Sequence, residues 1–253
     1  MSGRLEGLVA LVTGASSGIG EATAVALAAQ GATLAVAARR RDRLEALEER
    51  LGNDTDTLVV ETDITDEAAA RGMVAATVRE FGRLDILVNN AGIMLLGPVV
   101  DAPVEEWRRM VELNLLGLLY TTHASLPHLL AAAASGPRQV ADVVNVSSTA
   151  GRVARQNSAV YNATKFGVGA FSESLRQEVA GRHVRVSLIE PGATRTELIT
   201  HNRPEVREGI EAVIGQFELM QPEDIAESIV FTVTRPRHVA VNEILVRPTE
   251  QAL

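Results

Sequence analysis

The chain has 253 residues, of which 46% are hydrophobic and 3% aromatic, so Ala, Val and Leu must build one large core of tightly packed α/β type. Its 24 basic and 32 acidic residues give a net charge of −8, which argues against nucleic acid or an anionic membrane surface as the main partner. There is no cysteine, so disulfides, thiolate catalysis and thiolate-bound metal are excluded.

Residues 1–7 run straight toward a first strand with no apolar stretch of signal-peptide length, and a cytoplasmic location is expected. No apolar run reaches the ~18 residues that a membrane-spanning helix needs. Apolar runs and helical patterns then alternate: strand Val9–Val12, helix Gly20–Gln30, strand Thr33–Ala38, helix Arg41–Leu51, strand Thr57–Glu61, helix Asp66–Phe81 and strand Leu84–Asn89. A long helical region from about Val104 to Ala134 precedes strand Gln139–Val146, helix Ser158–Gly181, strand Val184–Ile189, helix Pro222–Thr234 and strand Asn242–Val246. Strands separated by helices of this length predict a Rossmann-like, doubly wound, parallel seven-stranded sheet with helices on both faces. No linker or repeat divides the chain, so one domain over 1–253 is expected, with its dinucleotide-binding part over about 7–150. Arg195–Gln216 is the least regular stretch, and a substrate loop is placed at about 195–217.

Gly14, Gly18 and Gly20 follow the first strand and open a helix. Glycine allows the sharp turn and the close approach of a pyrophosphate, and the helix terminus supplies free N–H groups. The spacing departs from Gly-x-Gly-x-x-Gly, so by itself it is equally a tight strand-to-helix turn. Gly14-Ala15-Ser16-Ser17-Gly18 also fits the nucleophile elbow of hydrolases, but no upstream strand exists to carry the oxyanion loop. After the second strand stand Arg39, Arg40 and Arg41, where an NAD-selective site would place a carboxylate. A guanidinium there pairs with a 2′-phosphate, which points to NADP(H).

Tyr161 and Lys165 stand four residues apart, which puts them on one helix face roughly 5–6 Å apart at Cβ. A phenol is a poor acid–base group at neutral pH, and a nearby ammonium favours the phenolate. Ser148 follows the fifth strand, at the carboxyl edge where such sheets bind ligands, and can polarise a carbonyl. The five histidines, at 123, 128, 183, 201 and 238, have no metal-ligand spacing, and no metal site is expected.

Thr13–Gly20, Asp63, Asn89-Asn90-Ala91-Gly92, Asn114, Ser148, Tyr161, Lys165 and Pro191-Gly192 together resemble the short-chain dehydrogenases/reductases of about 250 residues, over nearly the whole chain. Within that family the chain resembles clavulanate-pathway aldehyde reductases and NADP-dependent serine/3-hydroxy-acid dehydrogenases, through Asn89–Leu95 and Glu243–Gln251. The resemblance implies Tyr161 as proton donor, Lys165 as the group that lowers its pKa and holds the nicotinamide ribose, and Ser148 as the substrate-orienting hydroxyl. It implies that Asn114 kinks its helix and holds a water in a relay to Lys165. Gly14, Ser16, Ser17, Gly18, Ile19 and Gly20, with Arg39, Arg40, Asp63 and Ile64, would bind the cofactor together with Asn90, Ala91, Gly92, Tyr161, Lys165, Pro191, Gly192 and Thr194. Asp63 is equally placed to cap a helix.

A carbonyl at Tyr161 should face Met94, Arg152, Val153, Leu198 and His201, with Arg152 or Arg155 available to a substrate carboxylate or else turned to solvent. The expected activity is NADPH-dependent reduction of an aldehyde or ketone. A 3-hydroxy-acid dehydrogenase working toward oxidation, or a non-catalytic nucleotide-binding regulator, are the alternatives. The partners expected are a small carbonyl or alcohol substrate and further copies of the chain in a homotetramer.

Overall fold

The apolar runs assemble as a parallel sheet of order β3-β2-β1-β4-β5-β6-β7 in a computed structural model that describes residues 3–252. Met1, Ser2 and Leu253 of the expected domain lie outside the described residues. The strands are β1 (Val9–Thr13), β2 (Thr33–Ala38), β3 (Thr57–Glu61), β4 (Ile86–Asn89), β5 (Ala141–Val146), β6 (Val184–Pro191) and β7 (Glu243–Val246). Every residue of β1, β4, β5 and β6 is buried, because helices cover both faces.

Alternate residues of each strand feed two cores. Ala10 and Val12 pack with Leu27 of α1 (Gly18–Ala28), Leu44 of α2 (Arg41–Leu51) and Ile229 of α8 (Pro222–Val233). Val9 and Leu11 pack on the other side with Met73 of α3 (Glu67–Phe81), Leu129 of α5 (Leu118–Ser135) and Leu175 of α6 (Ala159–Val179). Between β1 and β4 the strand order reverses, so the loops leaving their carboxyl ends part and open a crevice.

Three local features add to the sequence expectation or differ from it. The helical region after residue 104 is not one helix: α4 (Val104–Val111) passes through a π-helical segment, Glu112–Gly117, before α5. A Cβ at Gly117 would lie 2.9 Å from Cγ1 of Ile64, so glycine lets this widened turn press against the loop after β3. The stretch taken as least regular is ordered. A 3₁₀ turn at Glu197–His201, capped by the Thr196 hydroxyl accepting from Leu198 N–H, leads into α7 (Pro204–Ile214) with proline at its first position. The first helix starts at Gly18 rather than Gly20, with Ser17 extended before it.

Candidate active site

The turn after β1 is laced to the turn after β4. Gly14 has φ +67°, and a Cβ there would sit 2.8 Å from Cα of Ala91, so only glycine permits the approach. A Cβ at Gly20 would collide with the Asn90 side-chain amide. That amide donates to the carbonyls of Thr13 (3.0 Å) and Gly14 (3.2 Å), and the Thr13 hydroxyl accepts from the N–H groups of Asn90 and Ala91 at 3.1 and 3.2 Å. Ser16, Ser17, Gly18 and Ile19 line the same crevice, where the first N–H groups of α1 are open.

The two arginines after β2 are not equivalent. Arg40 donates to the hydroxyls of Ser16 (3.1 Å) and Ser17 (2.8 Å) and pairs with Glu197 at 2.8 Å. That pair holds the Glu197 carboxyl below its ordinary range. Arg39 lines the crevice without a hydrogen bond or ion pair to any described residue. Asp63 and Ile64 line it below the arginines. Asp63 does not cap the next helix: its carboxylate accepts from Thr65 N–H and Oγ1 at 3.0 and 2.8 Å, while Asp66 caps α3 through the N–H groups of Ala68 and Ala69.

At the carboxyl end of β5 the chain brings Ser148, Tyr161 and Lys165 together. Ser148 caps the short turn Thr149–Gly151, accepting from Ala150 N–H at 3.1 Å, and hydrogen-bonds the Tyr161 hydroxyl. Lys165 Nζ donates to the carbonyl of Val146 at 3.0 Å and lies 5.8 Å from the centre of the Tyr161 ring. Both side chains are buried. Burial pushes the Tyr161 phenol up to about 12, opposed by the Ser148 hydrogen bond, and pushes the Lys165 ammonium down to about 8. Burial disfavours the charged form of both groups, and at the phenol it outweighs the Ser148 hydrogen bond.

Asn114 sits in the π-helical segment, and its amide is held on three sides. Its Oδ1 accepts from Ile93 N–H at 2.8 Å, and its Nδ2 donates to the Ile93 carbonyl at 2.8 Å and to Thr164 Oγ1 at 3.3 Å. It thereby fixes the strand-exit segment that carries Gly92 beside Lys165: a Cβ on Gly92 would lie 3.8 Å from Nζ.

Pro191, Gly192 and Thr194 line the crevice from the end of β6. Of the expected substrate-facing side chains, Met94, Leu198 and His201 line it. Arg152 and Val153 do not. Arg152 binds Glu190, buried at the end of β6, through Nε at 2.7 Å, and it also pairs with Glu243 of β7. These carboxylates raise its pKa and direct it to the sheet edge rather than to a substrate.

Three residues that sequence reasoning passed over hold the walls. Asn162 donates to the carbonyls of Ala150 (2.6 Å) and Val153 (3.1 Å) and pins the loop after Ser148. Asn202 donates to the Met94 carbonyl (2.9 Å) and accepts from Leu96 N–H (2.8 Å), tying the base of α7 to the opposite wall. Gln251 accepts from Ala193 N–H at 2.9 Å and closes the far side. Asparagine beside Tyr161 and asparagine before the proline of α7 were the available signals.

Together these elements enclose a single continuous cleft of about 920 Å³ running from Arg39 to Tyr161. Lys165 is a buried ammonium with three donors but one acceptor among the described residues, the Val146 carbonyl. Such a cation, with an arginine at the far end and open helix N–H groups between, fits a dinucleotide carrying phosphates and hydroxyls.

The family model for short chain dehydrogenases matches residues 8–207. A glycine betaine reductase of Emericella nidulans is 39% identical over 252 residues, which are 99% of this chain and 19% of that protein, so the chain spans about a fifth of that relative. An uncharacterized oxidoreductase of Staphylococcus saprophyticus is 35% identical, with 97% of each chain covered. The closed form of a serine dehydrogenase complexed with NADP+ superposes with a TM-score of 0.88 at 34% identity, again over 97% of each chain. A doubly wound sheet with a hydroxyl, a phenol and an ammonium gathered at its carboxyl edge defines a nicotinamide-dependent oxidoreductase. The chain belongs to the short-chain dehydrogenase family.

Proposed function

We propose that this protein reduces an aldehyde or ketone to an alcohol with NADPH, and that Tyr161 delivers the proton. The observation that carries the reading is the meeting of Ser148, Tyr161 and Lys165 at one end of a cleft whose other end holds Arg39 and Arg40. When bound, the reduced nicotinamide supplies a hydride to the carbonyl carbon. Ser148 Oγ donates to the carbonyl oxygen and polarises it. The Tyr161 phenol, held fully protonated at neutral pH by burial, gives its proton to that oxygen. Lys165 holds positive charge beside the phenolate left behind and offers its remaining donors to a ribose. Asn114 fixes the wall that meets this site, where a water would return a proton to Lys165.

Arg39 and Arg40 favour NADPH over NADH, with Arg39 the group available to a 2′-phosphate. Among the described residues no helix is long and apolar enough to cross a membrane, and we expect the enzyme to act in the cytoplasm. Phe166, Phe231 and Leu245 are exposed apolar side chains, which supports a homotetramer. A monomer by light scattering would remove that expectation.

The likeness to a serine dehydrogenase favours a second reading, oxidation of a 3-hydroxy acid with NADP+. Purified protein mixed with NADPH and a panel of aldehydes and ketones, and separately with NADP+ and 3-hydroxy acids, decides between them by cofactor absorbance. Consumption of NADPH with carbonyls is expected. Turnover confined to the hydroxy acids would reverse the assignment, and no turnover in either direction would end it.

A further inference from the structure

We propose that the substrate end of the cleft takes the apolar tail of a medium- to long-chain carbonyl compound rather than a small polar acid. This rests on the reductase reading and narrows its substrate class.

The argument starts from α7. Its sequence places Val206, Ile210, Val213 and Ile214 at i, i+4, i+7 and i+8, which is one stripe of the helix. The other side carries Arg207, Glu208 and Glu211, with Arg207 and Glu211 paired at 3.5 Å. A stripe of that width ordinarily enters a core. Here no residue of α7 is buried, and Val213 is 58% exposed. All four stripe residues line the cleft, with Phe217 beyond them and Met94 and Leu96 also on its wall. The helix is anchored there by the Asn202 bonds to Met94 and Leu96.

The apolar wall continues to the chemistry, because Met94 and Leu96 pack in one cluster with Ile93, Met110 and Tyr161. An apolar chain whose carbonyl sits at Tyr161 therefore meets hydrophobic surface along its length.

Charge at this end offers little to a substrate carboxylate. Arg152 is held by two carboxylates away from the cleft. Glu205 lines the cleft and pairs with Arg203 at 3.3 Å. His201 is exposed, and desolvation together with neighbouring arginines holds its ring toward the neutral form. Arg155 lines the cleft but is exposed, so its charge is solvated.

Two measurements with the intact protein test this. The first is kcat/KM with NADPH for straight-chain aldehydes from propanal to octanal, with succinic semialdehyde as the short carboxylate. The second is the Kd of the matching primary alcohols for the protein with NADPH present, which needs no turnover. Each buried methylene should improve both by about three- to fourfold until the wall is filled. Val213→Ser, at an exposed position that should not disturb folding, should lower octanal turnover more than propanal turnover. A flat or falling series in turnover and binding, or a preference for succinic semialdehyde, overturns the inference while leaving the reductase standing. Alcohols that bind more tightly with length while no carbonyl is reduced would sink the reductase reading and leave the apolar site in place.

Discussion

The two ends of β5 hold buried charge in opposite ways. At the amino end, Asp142 is buried and bound by Arg185 through Nε at 2.7 Å and Nη2 at 3.0 Å, with Arg138 at 3.3 Å. Arg185 also donates to the carbonyls of Val233 (3.2 Å), Arg235 (3.1 Å), Pro236 (3.2 Å) and Val239 (2.8 Å). Beside it, Asp85 on the residue before β4 pairs with Arg83 at 2.6 Å and accepts from Val9 N–H at 3.0 Å. At the carboxyl end, Lys165 is just as buried but has a carbonyl and no carboxylate, and Tyr161 has a single hydroxyl partner. The first end is electrostatically closed and fastens the sheet. The second leaves an ammonium and a phenol short of partners, which is how a fold stores capacity for chemistry at the edge where ligands enter.

Breaking the closed end should give the largest effect on stability. Arg185→Met leaves Asp142 buried with a weaker partner and should cost about 3–5 kcal/mol. The urea midpoint should fall, while kcat/KM of the folded fraction holds. The double variant Asp142→Leu, Arg185→Met should regain part of the loss, since it removes the stranded carboxylate while leaving Arg138 without its Asp142 partner. Equal stability for the single and double variants would mean that the pair is not what the amino end depends on.

Relieving the open end should do the reverse. The Lys165 ammonium has a folded pKa of about 8 against an ordinary 10.5, so the fold disfavours its charge. The unfolded chain binds more protons between those values, and wild-type stability should therefore rise as pH climbs from 8 to 10.5. Lys165→Met removes a penalty of about 3 kcal/mol below pH 8 and loses a hydrogen bond worth about 1, for a net gain of about 2 kcal/mol. Turnover should collapse in the same variant. Thermal melts should show the stability gap closing above pH 10. A variant less stable than wild type at pH 7 would show that the open end is satisfied after all.

The smallest expected effect tests the far end of the cleft. Arg39→Asp should weaken NADPH by about tenfold or more relative to NADH, the scale of one lost charge-assisted contact. Unchanged cofactor preference would shift the role to Arg40, which Ser16, Ser17 and Glu197 already hold.

Most of the strand framework was legible because β-strand runs separated by periodic helices leave few topologies, and the seven strands fall where apolar runs predict them. The glycine turn and the Ser148–Tyr161–Lys165 set were legible for the same local reason, spacing at a strand end. Other features depend on tertiary context. The kink at Asn114 was expected from the resemblance, but its π-helical form brings Gly117 against Ile64, two residues far apart in sequence. Arg152 looked available because its partners, Glu190 and Glu243, arrive from β6 and β7. The direction of the Tyr161 shift depends on burial, which four-residue spacing does not reveal. α7 was overlooked despite a proline followed by glutamate, an ordinary helix start, because its polar residues outweigh a stripe that has no core to enter.

The most direct test is Tyr161→Phe, measured for NADPH affinity and for turnover of the best aldehyde. The phenyl ring keeps the buried shape and loses only the hydroxyl, so affinity should stay level while kcat drops by about 10²–10⁴. Turnover that survives the substitution would contradict the account at its centre.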